Sequence, residues 1–168
     1  MDTFCEQLVK VKKGAKFYLG TIGLWFVVLL VFSIPFFYPP IMTFALILTA
    51  AAGYGAYYLM GFLSIEYEYI ITEDILDIDI IYSKRSRKRL ASFKLSEVES
   101  IEKYNGAELD KRRYKKIIVA CNKDFKDAYK FVFSGDSGLK VAVIEPNERT
   151  RTEMLKTIPR FVGNNAFK

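Results

Sequence analysis

From Phe17 to Ile65 the chain carries no Asp, Glu, Lys or Arg. A helix that crosses a bilayer needs about 20 apolar residues at a rise of about 1.5 Å each, so this run is long enough for two crossings. Tyr-Pro-Pro, Tyr38 to Pro40, interrupts it near the middle, and paired prolines neither continue a helix nor donate backbone hydrogen bonds. The sequence therefore predicts a transmembrane hairpin of two antiparallel helices, 17–37 and 41–64, behind a basic segment, 1–16. A cleaved signal peptide fits less well, because the apolar stretch after Lys16 is long and a second follows with no soluble segment between.

Short-loop charge sets the expected orientation. Lys10, Lys12, Lys13 and Lys16 precede the first helix, SKRSRKR (Ser83 to Arg89) follows the second, and the Pro-Pro turn has no charge, which places both termini in the cytoplasm. In that reducing compartment Cys5 and Cys121 are expected as free thiols, Cys121 as a small buried hydrophobe and Cys5 as an accessible one. Membrane helices associate through small residues that let backbones approach. Ala45, Thr49 and Gly53 recur every four residues on the second helix, and counting outward from the turn sets Gly20 and Gly23 of the first against it. With no ionisable group inside, the hairpin reads as an anchor rather than a transport path.

The rest of the chain belongs to water: 21 of 25 basic and 17 of 19 acidic residues follow Ile65. The pattern there changes to the period of two expected of half-buried strands. In IEYEYIIT, Tyr67, Tyr69 and Ile71 share one face while Glu66 and Glu68 share the other, and in LDIDIIY Leu76, Ile78 and Ile80 oppose Asp77 and Asp79. RLASF, Ile101 to Tyr104, KKIIVAC, AYKFVF and LKVAVI bring the total to about seven strands. Asn147 then offers an N-cap for a helix with Met154, Leu155 and Ile158 as its apolar stripe, ended at Pro159.

FKLSEVESIEKY (Phe93 to Tyr104) resembles the strand, short turn and strand of bacterial pleckstrin-homology-like domains, and VIEPNERTRTEMLKTI resembles their last strand running into the closing helix. With the helical pair in front, the chain resembles an uncharacterised family of small bacterial two-helix membrane proteins with such a domain. The resemblance implies an α+β membrane protein: a helical hairpin (17–64), then a PH-like antiparallel β-sandwich or barrel of about seven strands with a C-terminal helix (65–168). It also implies a binding or assembly module, and fold alone names no ligand.

A strict up-and-down run of strands from the hairpin brings Ser83–Arg89 back toward the bilayer, along with the links Asn105 to Lys116 and Ser134 to Gly138. The links at Glu73-Asp74, Glu97 to Glu99, Asn122 to Asp127 and Glu145 to Glu148 then fall at the far end. On that reading Lys84, Arg85, Arg87, Lys88, Arg89, Lys111, Arg112 and Arg113 contact anionic lipid headgroups. The alternative is a solvated turn. Phosphoinositide readers place their basic ligands around the first link, which here is acidic Glu73-Asp74, so diffuse attraction fits better than stereospecific binding. Nucleic acid, stacked on Tyr82 or Tyr114, ranks third and is not expected.

Catalytic signals are sparse. There is no His, the two Cys are far apart, and no phosphate-binding glycine loop or nucleophile elbow occurs. Asp77 and Asp79 share a strand face as an acid–base pair would, yet alternating Asp on an outward face more often serves solubility. The sequence thus points to a membrane-anchored binding or scaffolding module with no catalytic residues, metal or cofactor, whose partners are membrane lipids and an unidentified protein. A small carboxylate- or Lys-based membrane enzyme, or a nucleic-acid-contacting regulator, is the alternative.

Overall fold

A computed structural model of the chain describes residues 4–135, 138–164 and 166–167. It divides into a helical unit, Lys13–Ile65, and a β unit built from Met1–Lys12 together with Glu66–Lys168. In the first, α1 (Ala15–Phe37) and α2 (Ala45–Leu63) are joined by a 3-10 segment, Pro39–Phe44, that opens on the two prolines. Both stretches, Ala15–Phe37 and Pro39–Leu63, are long and apolar enough to cross a membrane. On α1 the half-buried side is Phe17, Gly20, Thr21, Leu24, Val28 and Val31. A Cβ added to Gly20 would meet Leu63 Cδ1 at 3.1 Å. On α2, Ala45, Thr49 and Gly53 are half-buried and Ala56 is buried. Gly23 departs from expectation: it is exposed, and a Cβ added there, or at half-buried Gly53, would meet nothing within 4 Å. Counting from a turn fixes depth along a helix but leaves rotation about its axis open.

The β unit has eight strands, one more than the alternation predicts. The extra strand is β1, Phe4–Lys10, which lies ahead of the hairpin within the segment expected to be a basic tail. It pairs antiparallel with β2, Ile65–Thr72, from Phe4↔Thr72 to Lys10↔Glu66. The helical hairpin is thus an insertion between two neighbouring strands, and the domain boundary at residue 65 gives way to a discontinuous unit. β3 (Ile75–Tyr82) and β4 (Ser86–Lys94) complete one sheet in the order β1-β2-β3-β4. β5 (Val98–Lys103), β6 (Lys116–Ala120), β7 (Tyr129–Gly135) and β8 (Gly138–Ile144) form the other in the order β5-β7-β8-β6. Asp136 and Ser137, part of the expected Ser134–Gly138 link, lie outside the described residues.

β6 runs parallel to β8, which corrects the strict up-and-down count. β5 and β8 are each antiparallel to β7, so β5, β6 and β8 share one direction. The link between β5 and β6 must therefore return along the sheet rather than turn at one end. Its apolar residues hold it there: Leu109 packs on the cluster of Tyr104, Cys121, Ala128 and Val143 and on that of Tyr114, Val132 and Val141. Asn122–Asp127, expected at the far end, instead lies beside the exit from β1, where the Lys12 amide donates to Asn122 Oδ1 at 2.8 Å and its ammonium pairs with Asp124. The division of the links into a near and a far end therefore does not hold in the second sheet.

Between the sheets the alternating apolar residues meet in one core, with Tyr69, Ile71, Leu76, Ile78, Phe131 and Ile144 fully buried. The Phe93 and Phe133 rings stack with centroids 3.8 Å apart. α3 (Glu148–Thr157) is capped as expected, Asn147 Oδ1 accepting from the Thr150 amide at 2.8 Å, and buries Met154 with Ile158 just beyond. Leu155 is exposed, and Val162 of the short α4 (Arg160–Gly163) is buried instead. The Tyr69 hydroxyl ties the sheets together: it donates to the Ala120 carbonyl and accepts from the Glu145 amide at 3.1 Å. Burial raises its pKa, so it stays a donor at every physiological pH. Tyr69→Phe strands both backbone groups, and chemical denaturation is expected to show a loss of about 1–3 kcal/mol. An unchanged midpoint would mean that the bridge contributes nothing.

Candidate functional site

The basic cluster straddles the β3–β4 hairpin rather than filling a loop. The Arg85 amide donates to the Tyr82 carbonyl at 3.0 Å, and the residues between, Ser83 and Lys84, have φ of 50° and 59°. This is the type I′ geometry that matches strand twist, but it normally takes Asn-Gly. Left-handed backbone costs a residue with a Cβ about 1–2 kcal/mol, so the turn is strained.

From Ser86 onward the cluster is strand. Partners run in register from Ile75↔Lys94 to Ile78↔Ala91, then shift so that Asp79 faces Arg89 and Ile81 faces Arg87, with Leu90 as the extra residue of a bulge. Without it Arg89 would face Ile80, on the core side, because a one-residue slip exchanges the two faces of a strand. The bulge therefore delivers both arginines to the carboxylates, and its carbonyl, Leu90 O, accepts from Lys116 Nζ at 2.7 Å. Arg89 spans Asp77 at 2.9 Å and Asp79 at 3.1 Å, while Arg87 pairs with Glu68 of β2. Asp79 and Glu68 are 3% and 2% exposed, which corrects the expectation of outward, solvated acids: the alternation identifies their face, and the arginines that cover it come from another strand.

Glu68 is held unevenly. The Arg87 guanidinium is aligned with Oε1 at 3.0 Å. Oε2, although 2.9 Å from the same nitrogen, receives no hydrogen bond. Burial raises the Glu68 pKa; Arg87 opposes the rise, and the neighbouring Glu6 and Asp79 carboxylates add to it. The carboxyl borders a cleft of about 360 Å3 on the outer face of the first sheet, shared with Glu6, Glu66, Lys84, Arg85 and Arg87. The cleft sits at the end of the sheet marked by Lys10↔Glu66, where the chain leaves for the hairpin and returns.

The remaining predicted residues are placed elsewhere. Lys88 is exposed opposite Ile80. Lys111, Arg112 and Arg113 form a turn in the β5–β6 link, anchored by Asp110 Oδ1 accepting from the Arg112 amide at 2.8 Å, and do not line the cleft. Tyr114 is buried beneath that link and is no stacking platform. A second cleft, of about 610 Å3, runs beside β1 between Gln7, Lys12, Asn122, Asp124, Glu145 and Arg151. There Gln7 donates to the Glu145 carbonyl at 2.7 Å and accepts from the Asn147 amide at 2.8 Å, fastening β1 to the start of α3. Cys5, expected to be reactive, is buried against Thr150. Cys121 is buried too, and desolvation pushes its thiol up to about 12.

Two stability measurements probe the hairpin. Lys84→Gly relieves the left-handed strain and is expected to raise stability by about 1 kcal/mol; a loss would show that Lys84 makes a stabilising contact. Arg87→Met removes the cation beside Glu68 and raises the carboxyl's folded pKa further. A raised folded pKa gives stability that is complete below the unfolded value and lost as pH rises through the folded one. The variant should thus nearly match the parent near pH 4 and fall about 1–2 kcal/mol short near neutrality, the exposed side of Arg87 reducing the effect of a fully buried pair. A deficit independent of pH would refute the pairing.

No curated protein and no solved structure matches the chain. One family model matches, described as a bacterial PH-like domain (DUF6106), over residues 1–164. That span takes in β1, the helical hairpin and both sheets. The chain belongs to the bacterial PH-like domain family DUF6106.

Proposed function

We propose that this chain is an integral membrane protein of the bacterial cell membrane with both termini in the cytoplasm, in which a PH-like module is held at the lipid surface to bind or scaffold a protein partner. The observation that carries this reading is the insertion of an uncharged hairpin between two paired strands, with Lys10 and Glu66 as facing partners. A domain tied to two helices through adjacent strands is more restricted in rotation than one on a single linker.

Arg87 and Arg89 are engaged by carboxylates, so the eight cations read from the sequence do not act as one surface. Lys84 and Lys88 stand exposed on the β3–β4 hairpin. At about 1 kcal/mol each near an anionic leaflet they orient a domain that is already anchored and are too few to recruit a soluble one. The pairing of Asp77 and Asp79 with Arg89 also argues against an acid–base couple there, which favours a binding module over an enzyme. Glu73 and Asp74 close the opposite end of the first sheet, where they would repel an inositol phosphate.

Cysteine labelling tests the arrangement. Cys5 and Cys121 are buried and serve as silent background. An impermeant maleimide added to intact cells is expected to label Met42→Cys in the 3-10 segment and to spare Glu99→Cys on β5 until the membrane is opened. Labelling of Glu99→Cys from outside would overturn the orientation, and recovery of the chain in the soluble fraction would overturn the anchor.

A further inference from the structure

Arg87 and Arg89 answer carboxylates on the first sheet, but a second run of cations has no such answer. KRRYKK, Lys111 to Lys116, sets five cations in six residues, and all five are exposed. Among the described residues none of them forms an ion pair with a carboxylate. Asp110, next to the run, uses Oδ1 to accept from the Arg112 amide at 2.8 Å, and its carbonyl accepts from the Arg113 and Tyr114 amides at 3.2 Å each. Lys116 Nζ reaches the neutral Leu90 carbonyl, and the Arg113 guanidinium lies 5.6 Å from the centre of the Tyr114 ring. Like charges this close repel one another, and a free loop would spread them apart.

Here the backbone holds them together. Tyr114 is buried against Val132 and Val141, Leu109 packs on the same cluster, and the Lys115 amide donates to the Leu139 carbonyl at 2.9 Å. The turn that presents the cations is thus fixed before any partner arrives, and association does not have to order it.

The surroundings choose among polyanions. KRRYKK runs directly into β6, where Ile117 is only partly buried on the Tyr114 cluster. Val119, on the same strand face as Ile117, is 43% exposed. A phosphate backbone has nothing to place against apolar side chains, and Tyr114, the one ring in the run, is buried and offers no stacking surface for a base. An acidic protein segment supplies both parts: carboxylates, which guanidiniums such as those of Arg112 and Arg113 bind in bidentate geometry, and apolar side chains for Ile117 and Val119.

We propose that the KRRYKK turn, with the β6 face that follows it, is the surface on which this module docks an acidic, partly apolar segment of its protein partner. The inference rests on the reading of the chain as a module that binds a protein, and it gives that binding a place on the β unit.

Fluorescence anisotropy with the full chain in nonionic detergent tests it against three labelled probes: a short Glu-rich peptide with interspersed Leu, the same peptide with Gln in place of Glu, and a short DNA duplex. The acidic peptide should bind at low ionic strength, weaken as salt rises, and bind more tightly than the other two. Lys111→Ser, Arg112→Ser and Arg113→Ser together should weaken it about ten-fold, the scale of three exposed ion pairs. Lys94→Ser, Lys103→Ser and Lys123→Ser together, which remove the same charge from exposed positions elsewhere, should leave it unchanged. A melting curve on each variant separates lost docking from lost folding, and Lys111→Ser alone, with about a two-fold loss, serves if the first triple variant does not fold. Equal loss in the two triple variants, a Gln peptide that binds as tightly as the acidic one, or an acidic peptide that does not bind at all would overturn this surface while leaving a module whose protein contact lies elsewhere. Tighter binding of the duplex would overturn the protein partner itself, and with it the reading on which the proposal rests.

Discussion

The pairing of β1 with β2 is the constraint on which the rest of this structure depends. The chain makes strand Phe4–Lys10, departs through two apolar helices, and must come back to place Ile65–Thr72 beside it. An antiparallel pair normally closes through a short turn. Here a helical hairpin takes the turn's place, so folding of the β unit and placement of the helices are coupled. A hairpin whose ends separated would remove β1 from the sheet and expose the edge of β2. Gln7 reinforces the joint from the other side by holding the Glu145 carbonyl and the Asn147 amide.

Much of the fold was legible because alternation reports which face a side chain takes. Strands β2 to β8 follow from it, and the Asn147 cap from the change to a helical stripe. β1 was missed for a physical reason: its inward positions include polar Gln7, its outward ones include Leu8, and it ends on Lys10 with three more lysines close behind. The pattern of FCEQLVK is therefore weak alone, and its meaning depends on a partner strand beyond the hairpin. Alternation also carries no information on neighbours. The parallel β6–β8 pair was not visible in it, although the length of the link from Tyr104 to Lys115 was a usable signal, since strands that do not reverse need a connection of about a dozen residues.

The candidate site was half visible. SKRSRKR named the hairpin, and its first cations do stand at the end of the sheet where the chain departs. What the sequence concealed was the bulge at Leu90. One extra residue turns Arg87 and Arg89 onto Glu68, Asp77 and Asp79, converting two-fifths of an apparent charge patch into internal ion pairs. Such pairs add little net stability. Their consequence is arrangement: two cations cover a carboxylate face, and a mixed-charge cleft results beside it.

Disulfide cross-linking measures the central joint directly. In a chain carrying Cys5→Ala and Cys121→Ala, the pair Lys10→Cys with Glu66→Cys occupies facing register positions, within the separation a disulfide tolerates. Mild oxidation of intact membranes is expected to close it nearly completely, shown as faster migration without reductant. Lys10→Cys with Glu73→Cys, at opposite ends of the sheet, is expected to stay open. Closure of neither pair, or of both alike, would contradict a domain assembled across its own helical hairpin.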